Sequence, residues 1–169
     1  MLITPEYLAL QKQLHATNDS YGTSGRHYAD LARQISQWGR MEILDYGCGR
    51  QTLSQALGPA YRVTCYDPCI AGLDMPPEPH YSVVCTDVLE HIEPDLVDNV
   101  LADLRRLTQV NALLVINTGP AKKTLADGRN AHICQRPMEW WIERIKAAGF
   151  EVTDHFEEPH RNTFGVIVK

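Results

Sequence analysis

The sequence has no run of basic residues longer than two, no internal repeat, and no apolar stretch approaching the ~20 residues that a membrane-spanning helix requires. The first absence, with a formal net charge of −5, removes the electrostatic footprint of a nonspecific nucleic-acid binder. The second leaves the alternation of short apolar runs with helical periodicity as the useful signal. The third, with a segment Met1-Leu2-Ile3-Thr4-Pro5-Glu6 that lacks the basic and apolar parts of a signal peptide, leads to the expectation of a soluble, cytoplasmic protein without a membrane partner. Paired C-x-x-C spacing is missing too. The five cysteines (Cys48, Cys65, Cys69, Cys85, Cys134) therefore speak against both a disulfide framework and a thiolate zinc site. Cys65 and Cys85 lie in apolar runs and read as buried, reduced thiols.

What is present is enough for one compact unit: 169 residues, 44% hydrophobic and 22% charged. Short apolar runs alternate with helical periodicity. Residues 41–46, 61–66 and 81–86 read as strands, and 52–57 as a short helix between the first two. In residues 93–107 the apolar positions Leu96, Val97, Val100, Leu101, Leu104 and Leu107 keep helical spacing, with Pro94 suited to a first turn. Residues 112–117 form the nearly continuous apolar run of a strand buried on both faces. Helical spacing returns at 138–148 and ends at Gly149, and 150–155 and 163–169 read as two closing strands. Before the first strand, Tyr28, Leu31, Ala32, Ile35 and Trp38 outline one amphipathic helix and Tyr7, Leu10 and Leu14 another. The turn-rich loop Asn18-Asp19-Ser20-Tyr21-Gly22-Thr23-Ser24-Gly25 joins them. The expected fold is α/β: a doubly wound, mostly parallel sheet of about six strands at 41–169, preceded by a helical segment at 1–40, in a single domain.

In such sheets ligands bind outside the carboxyl ends of the strands. The first strand ends in Asp45-Tyr46-Gly47-Cys48-Gly49, a tight turn whose missing side chains let a ligand approach the backbone and the following helix. The second ends on Asp67, where a carboxylate can accept hydrogen bonds from ribose hydroxyls. A dinucleotide fingerprint asks for a third glycine three residues after the second, and that position is Thr52.

Ile43-Leu44-Asp45-Tyr46-Gly47-Cys48-Gly49 resembles the first motif of class I S-adenosylmethionine-dependent methyltransferases, and Asp87-Val88-Leu89-Glu90-His91 resembles the motif after their fourth strand. The likeness runs from about Met41 to the C-terminus and is nearest to the branch of ubiquinone-biosynthesis O-methyltransferases. It implies S-adenosylmethionine as cofactor, with Gly47 and Gly49 near its methionine part, Asp45 near its ammonium, Asp67 on the ribose and Pro68 beside the adenine. The motif neighbours Tyr46, Cys48, Asp87 and Val88 complete the implied cofactor set. Two departures stand out. Gln51 occupies the place of the family's usual third glycine. Only thirteen residues separate Asp67 from Tyr81, too few for the family's usual intervening helix and strand, which are expected to be lost. Asp74 is the candidate for the family's adenine-edge acid.

Asp87, Glu90 and His91 follow a strand that should end at the cofactor. In some relatives, among them ubiquinone-pathway enzymes and small-RNA 2′-O-methyltransferases, a similar acid-x-x-Glu-His segment binds a divalent metal. A later histidine completes the site in the RNA enzymes, and the matching position here is His132, ahead of Trp140-Trp141. Asp87, Glu90, His91 and His132 would suit Mg²⁺, Mn²⁺ or Zn²⁺, which could acidify and orient an acceptor hydroxyl. Without a metal, Glu90 would cap local backbone and His91, then His132, would be the candidate general base. The N-terminal segment resembles the lid of such enzymes, with Tyr21 and Arg26 as candidate contacts. Lys122 and Lys123 could attract an anionic acceptor, and one of Trp140 and Trp141 should pack while the other borders the acceptor cleft. The leading reading is methyl transfer to oxygen of a small-molecule acceptor by a monomer or homodimer. An RNA 2′-O-methyltransferase and a non-catalytic scaffold or cofactor sensor are the alternatives.

Overall fold

A computed structural model describes residues 1–36 and 41–169; Trp38, expected on the helix before the first strand, lies outside the described residues. Six strands form one sheet: β1 (Glu42–Tyr46), β2 (Arg62–Tyr66), β3 (His80–Thr86), β4 (Thr108–Asn117), β5 (Val152–Glu158) and β6 (Thr163–Val168), in the order β2-β1-β3-β4-β6-β5. The pairs β2/β1, β1/β3 and β3/β4 are parallel, and β6 runs antiparallel between β4 and β5. One reversed strand makes the sheet mixed while leaving it mostly parallel. Residues 67–79 contain neither helix nor strand, so the helix and strand expected to be missing there are missing, and β2 forms an edge.

Alternation along the strands divides the apolar residues between two cores. Leu44, Val83, Cys85, Leu114 and Ile116 face α4 (Val97–Leu107) and α5 (Met138–Ala147). Ile43, Val84, Leu113 and Val115 face α2 (Ala29–Ser36) and α3 (Thr52–Leu57). α1 (Pro5–Thr17) belongs to neither: Tyr7 and Leu14 pack with Leu125 and Ala131 of the connection after β4, forming a third cluster over the strand ends. Thr4 caps α1 through Tyr7 N, and the Glu93 carboxylate receives both the N–H and the hydroxyl of Thr4, at 2.8 and 2.7 Å.

β4 begins four residues earlier than its apolar run and follows α4 without a loop. The polar start is accommodated: the Thr108 hydroxyl donates to Leu104 O at 2.8 Å, and Asn111 Nδ2 donates to Ile35 O at 3.0 Å. β5 continues past His155 to Glu158 because it is an edge strand whose outward positions can be polar.

Candidate active site

The carboxyl ends of β1, β2, β3 and β4 surround a cleft of about 580 Å³, a size typical of small-molecule sites. Gly47, Gly49, Asp67, Pro68, Asp87 and Val88 border one part of it; His91, Asn117, Lys122, Lys123 and His132 border another.

The glycine loop is held from below, with Gly47 N and Cys48 N both donating to Tyr66 O at 2.8 and 3.0 Å. Its glycines are required by protein contacts as well as by the cleft. A Cβ on Gly47 would lie 2.3 Å from Val88 Cγ2, and one on Gly49 would lie 2.5 Å from Gly22 O. Asp67 is 5% exposed and receives Gly49 N on one carboxylate oxygen at 3.0 Å and Cys69 N on the other at 2.9 Å. Each oxygen keeps a lone pair for a ligand hydroxyl. Gln51 precedes α3 with φ of 57°, a left-handed conformation that a glycine would adopt without strain.

Three residues of the expected cofactor set do not border the cleft. Asp45 is 2% exposed, and its Oδ2 has no partner among the described residues. Burial, reinforced by Cys65 and Asp67, holds its carboxyl well above the usual carboxylate range. Tyr46 points to the opposite face, donating to Asp103 Oδ2 at 3.1 Å. Cys48 is buried, with Cys65 as its hydrogen-bonding neighbour. Asp74 and Arg26 are also away from the cleft, Asp74 accepting Gly72 N at 3.2 Å. Tyr21 borders it.

Glu90, His91 and His132 bring one carboxylate oxygen and two imidazole nitrogens within 4.8 Å of one another. Glu90 is fully buried; Oε1 accepts Asn117 N at 2.9 Å, and Oε2 has no partner among the described residues. Burial first, and Asp87 second, raises its carboxyl well above its ordinary value. His91 Nδ1 lies 2.8 Å from Ala131 O, and His132 Nδ1 lies 2.7 Å from Gly119 O. A carbonyl oxygen can only accept, so both rings carry hydrogen on Nδ1 and keep a lone pair on Nε2. Burial, then His132, lowers the His91 pKa to about 3, and burial also lowers that of His132. An orphaned carboxylate oxygen and two neutral imidazoles with their outer nitrogens fixed by backbone carbonyls form a donor set suited to a divalent cation. The expected quartet is reduced to a triad. Asp87 stands outside it with φ of 53°, bonded to Ser24, because the strained turn after β3 aims its carboxyl toward the N-terminal segment.

Trp141 is fully buried, as one of the two tryptophans should be. Trp140 does not border the cleft: Arg136 and Arg144 lie over its ring at 5.6 and 5.0 Å on the outside of α5. The sequence reading missed Asn117, His27, His160 and Arg161, which also border the cleft. The strand-end rule that selected Asp67 would have found Asn117. His27 comes from a 3₁₀ turn (Ser24–Tyr28) in the lid-like segment, of which only Tyr21 and Arg26 stood out, and the other two from the β5–β6 connection, which carries no motif.

Neither a family model nor a curated protein matches the chain. Solved structures do. A 1,6-didemethyltoxoflavin-N1-methyltransferase from Burkholderia thailandensis, with bound 1,6-didemethyltoxoflavin and S-adenosylhomocysteine, superposes with a TM-score of 0.70 at 16% identity, covering 99% of this chain and 91% of that one. Magnesium protoporphyrin IX methyltransferase from Synechocystis, with bound S-adenosylmethionine, gives 0.67 at 14% identity, covering 98% and 96%. A methyltransferase from Aquifex aeolicus dependent on the same cofactor gives 0.54 at 18%, covering 93% and 97%. At these identities the likeness is one of fold.

Proposed function

We propose, from a class I methyltransferase fold whose glycine loop and Asp67 border one cleft, that the chain is an S-adenosylmethionine-dependent methyltransferase. Its acceptor would be a small molecule methylated on oxygen. The observation that carries the reading is the pairing of Gly47 and Gly49 at the end of β1 with Asp67 at the end of β2, where a nucleoside-bearing cofactor is expected. Gly47, Gly49, Val88 and Tyr21 would surround the methionine part, Asp67 the ribose and Pro68 the adenine. Asp45, Tyr46 and Cys48 would support the loop from behind. The motif resemblance to ubiquinone-biosynthesis O-methyltransferases would make oxygen the accepting atom.

Methyl transfer from a sulfonium asks for proximity, alignment and removal of the acceptor proton. S-adenosylmethionine would supply the methyl group and depart as S-adenosylhomocysteine as the bond to the acceptor oxygen forms, and the acceptor's hydroxyl proton would pass to a base. Glu90 Oε2 and Nε2 of His91 and His132 would hold a divalent cation, Zn²⁺ or Mn²⁺ suiting two imidazoles better than Mg²⁺. Such an ion supplies Lewis acidity that lowers a hydroxyl's pKa. In its absence the Nε2 lone pairs of His132 and His91 would be the candidate bases, that of His91 a weak one at neutral pH because burial and His132 hold its pKa to about 3. Lys122, Lys123 and Arg161 border the cleft of a chain with net charge −5, which favours an anionic acceptor.

Transfer of radiolabelled methyl from S-adenosylmethionine to separate metabolite and RNA pools, with Mn²⁺ or with chelator, tests this reading. Labelled metabolite is expected. Labelled RNA would favour the RNA 2′-O-methyltransferase reading instead, and no transfer together with no cofactor binding would favour a scaffold.

A further inference from the structure

α1 buries a polar residue on its inner face. Gln11 is 4% exposed between Tyr7 and Leu14, and a buried amide must satisfy both its donor and its acceptor. Its Nε2 donates to the Tyr7 hydroxyl at 2.7 Å, leaving Oε1 to accept the Tyr21 hydroxyl at 2.8 Å. The phenol of Tyr21 has one proton, and Gln11 takes it. The Tyr21 oxygen, 3.0 Å from His91 Nδ1, can therefore act toward His91 only as an acceptor. Ala131 O, 2.8 Å from the same nitrogen, is likewise an acceptor. Two segments outside the sheet, one N-terminal and one following β4, thus converge on a single N–H. They also pack together in the apolar cluster of Tyr7, Leu14, Leu125 and Ala131.

We propose that Gln11 and Tyr21 are positioning residues for His91 that couple the seating of the N-terminal segment over the cleft to occupancy of the Glu90/His91/His132 cation site. The proposal rests on the cation reading above. A cation on Nε2 withdraws electron density from the ring and makes Nδ1–H a stronger donor, so the contacts to Tyr21 and Ala131 tighten. Coupling of this kind is reciprocal: whatever the cation adds to the docking of α1, docked α1 adds to cation affinity. The chain would then close over its cofactor cleft most firmly when the site beside the acceptor is filled.

The test uses the full chain, with Zn²⁺ and Mn²⁺ titrated by calorimetry into wild type, Tyr21→Phe and Gln11→Leu, and amide hydrogen exchange of residues 5–17 followed with and without Zn²⁺. Tyr21→Phe keeps the ring and removes only the oxygen, so it separates the hydrogen bond from packing. Cation affinity is expected to fall about tenfold in each variant, the low end for an outer partner of a metal-bound histidine, and the double variant should lose little more. Zn²⁺ should slow exchange in α1 of wild type and have a much smaller effect in Tyr21→Phe. Equal cation affinity in wild type and variants, or Zn²⁺-independent exchange of α1 in wild type, overturns the coupling while leaving the cation site standing. Failure of wild type to bind either ion overturns both.

Discussion

Gly22 and Gly49 lie back to back. A Cβ on Gly49 would sit 2.5 Å from Gly22 O and 2.6 Å from Gly22 Cα, and a Cβ on Gly22 would sit 2.9 Å from Gly49 Cα. Gly22 O also accepts Arg50 N at 2.8 Å. The N-terminal loop is therefore seated on the glycine loop through two residues that both lack side chains and both have positive φ, 72° and 49°.

Replacing Gly49 by Ala should unseat that contact and strain the turn. A stability loss of about 2 kcal/mol is expected, combining the left-handed backbone penalty with overpacking. Thermal unfolding measures it, and affinity for S-adenosylmethionine should drop in parallel. Gly22→Ala should have a smaller effect, because its closest backbone approach, 2.9 Å to Gly49 Cα, is less severe than the 2.5 and 2.6 Å met from Gly49, and the His15 atom it also meets can move with its side chain. Stability equal to wild type for both variants would mean that the two loops do not pack in solution.

Gln51 leads to the opposite expectation. Its φ of 57° and lack of a capping side-chain hydrogen bond mean that Gln51→Gly relieves strain, offset by the greater freedom of an unfolded glycine. A net stabilisation of about 0.5 kcal/mol in denaturant unfolding is expected, with cofactor affinity at least retained. Destabilisation would show that the Gln51 side chain contributes a contact of its own.

The central fold was legible because β4 carries a nearly continuous apolar run and α4 keeps strict helical spacing, so burial alone selects one arrangement. Polar ends were not legible: Thr108 and Asn111 enter β4 only because Leu104 and Ile35 offer them carbonyl partners. Within the site, Glu90 and His91 stood out as neighbours after a strand, whereas His132 was reached through family resemblance, since forty residues of intervening chain have no periodicity that points back. Tyr46 could have been placed by alternation alone, because it shares a face with Leu44 and so turns toward α4. Gln11 carries no signal of its own beside Tyr7, Leu10 and Leu14; its role depends on Tyr21, which only the fold brings beside it.

Glu90 carries a pH prediction. Burial raises its carboxyl above the ordinary range, so the folded chain binds this proton more tightly than the unfolded one. The group's contribution to stability is retained below about pH 4.3, the ordinary Glu value, and declines as pH rises through the folded pKa. In chelator, Glu90→Gln should therefore match wild type near pH 4 and be more stable near pH 7, because the amide oxygen can still accept Asn117 N. With saturating Mn²⁺ or Zn²⁺ near pH 7 the order should reverse, since only the wild type binds the ion strongly. Melting curves of both proteins under the four conditions check the sign. A wild type that gains nothing from either ion would remove the cation from the mechanism.

The central claim is that the cleft between the glycine loop and Asp67 holds S-adenosylmethionine, and calorimetric titration of that cofactor into wild type and Asp67→Ala tests it most directly. One-to-one binding to wild type is expected, weakened about tenfold or more in a folded Asp67→Ala protein, consistent with loss of a charge-assisted hydrogen bond of ~1.5 kcal/mol or more. Absence of binding to wild type, or equal affinity in the two proteins, would contradict it.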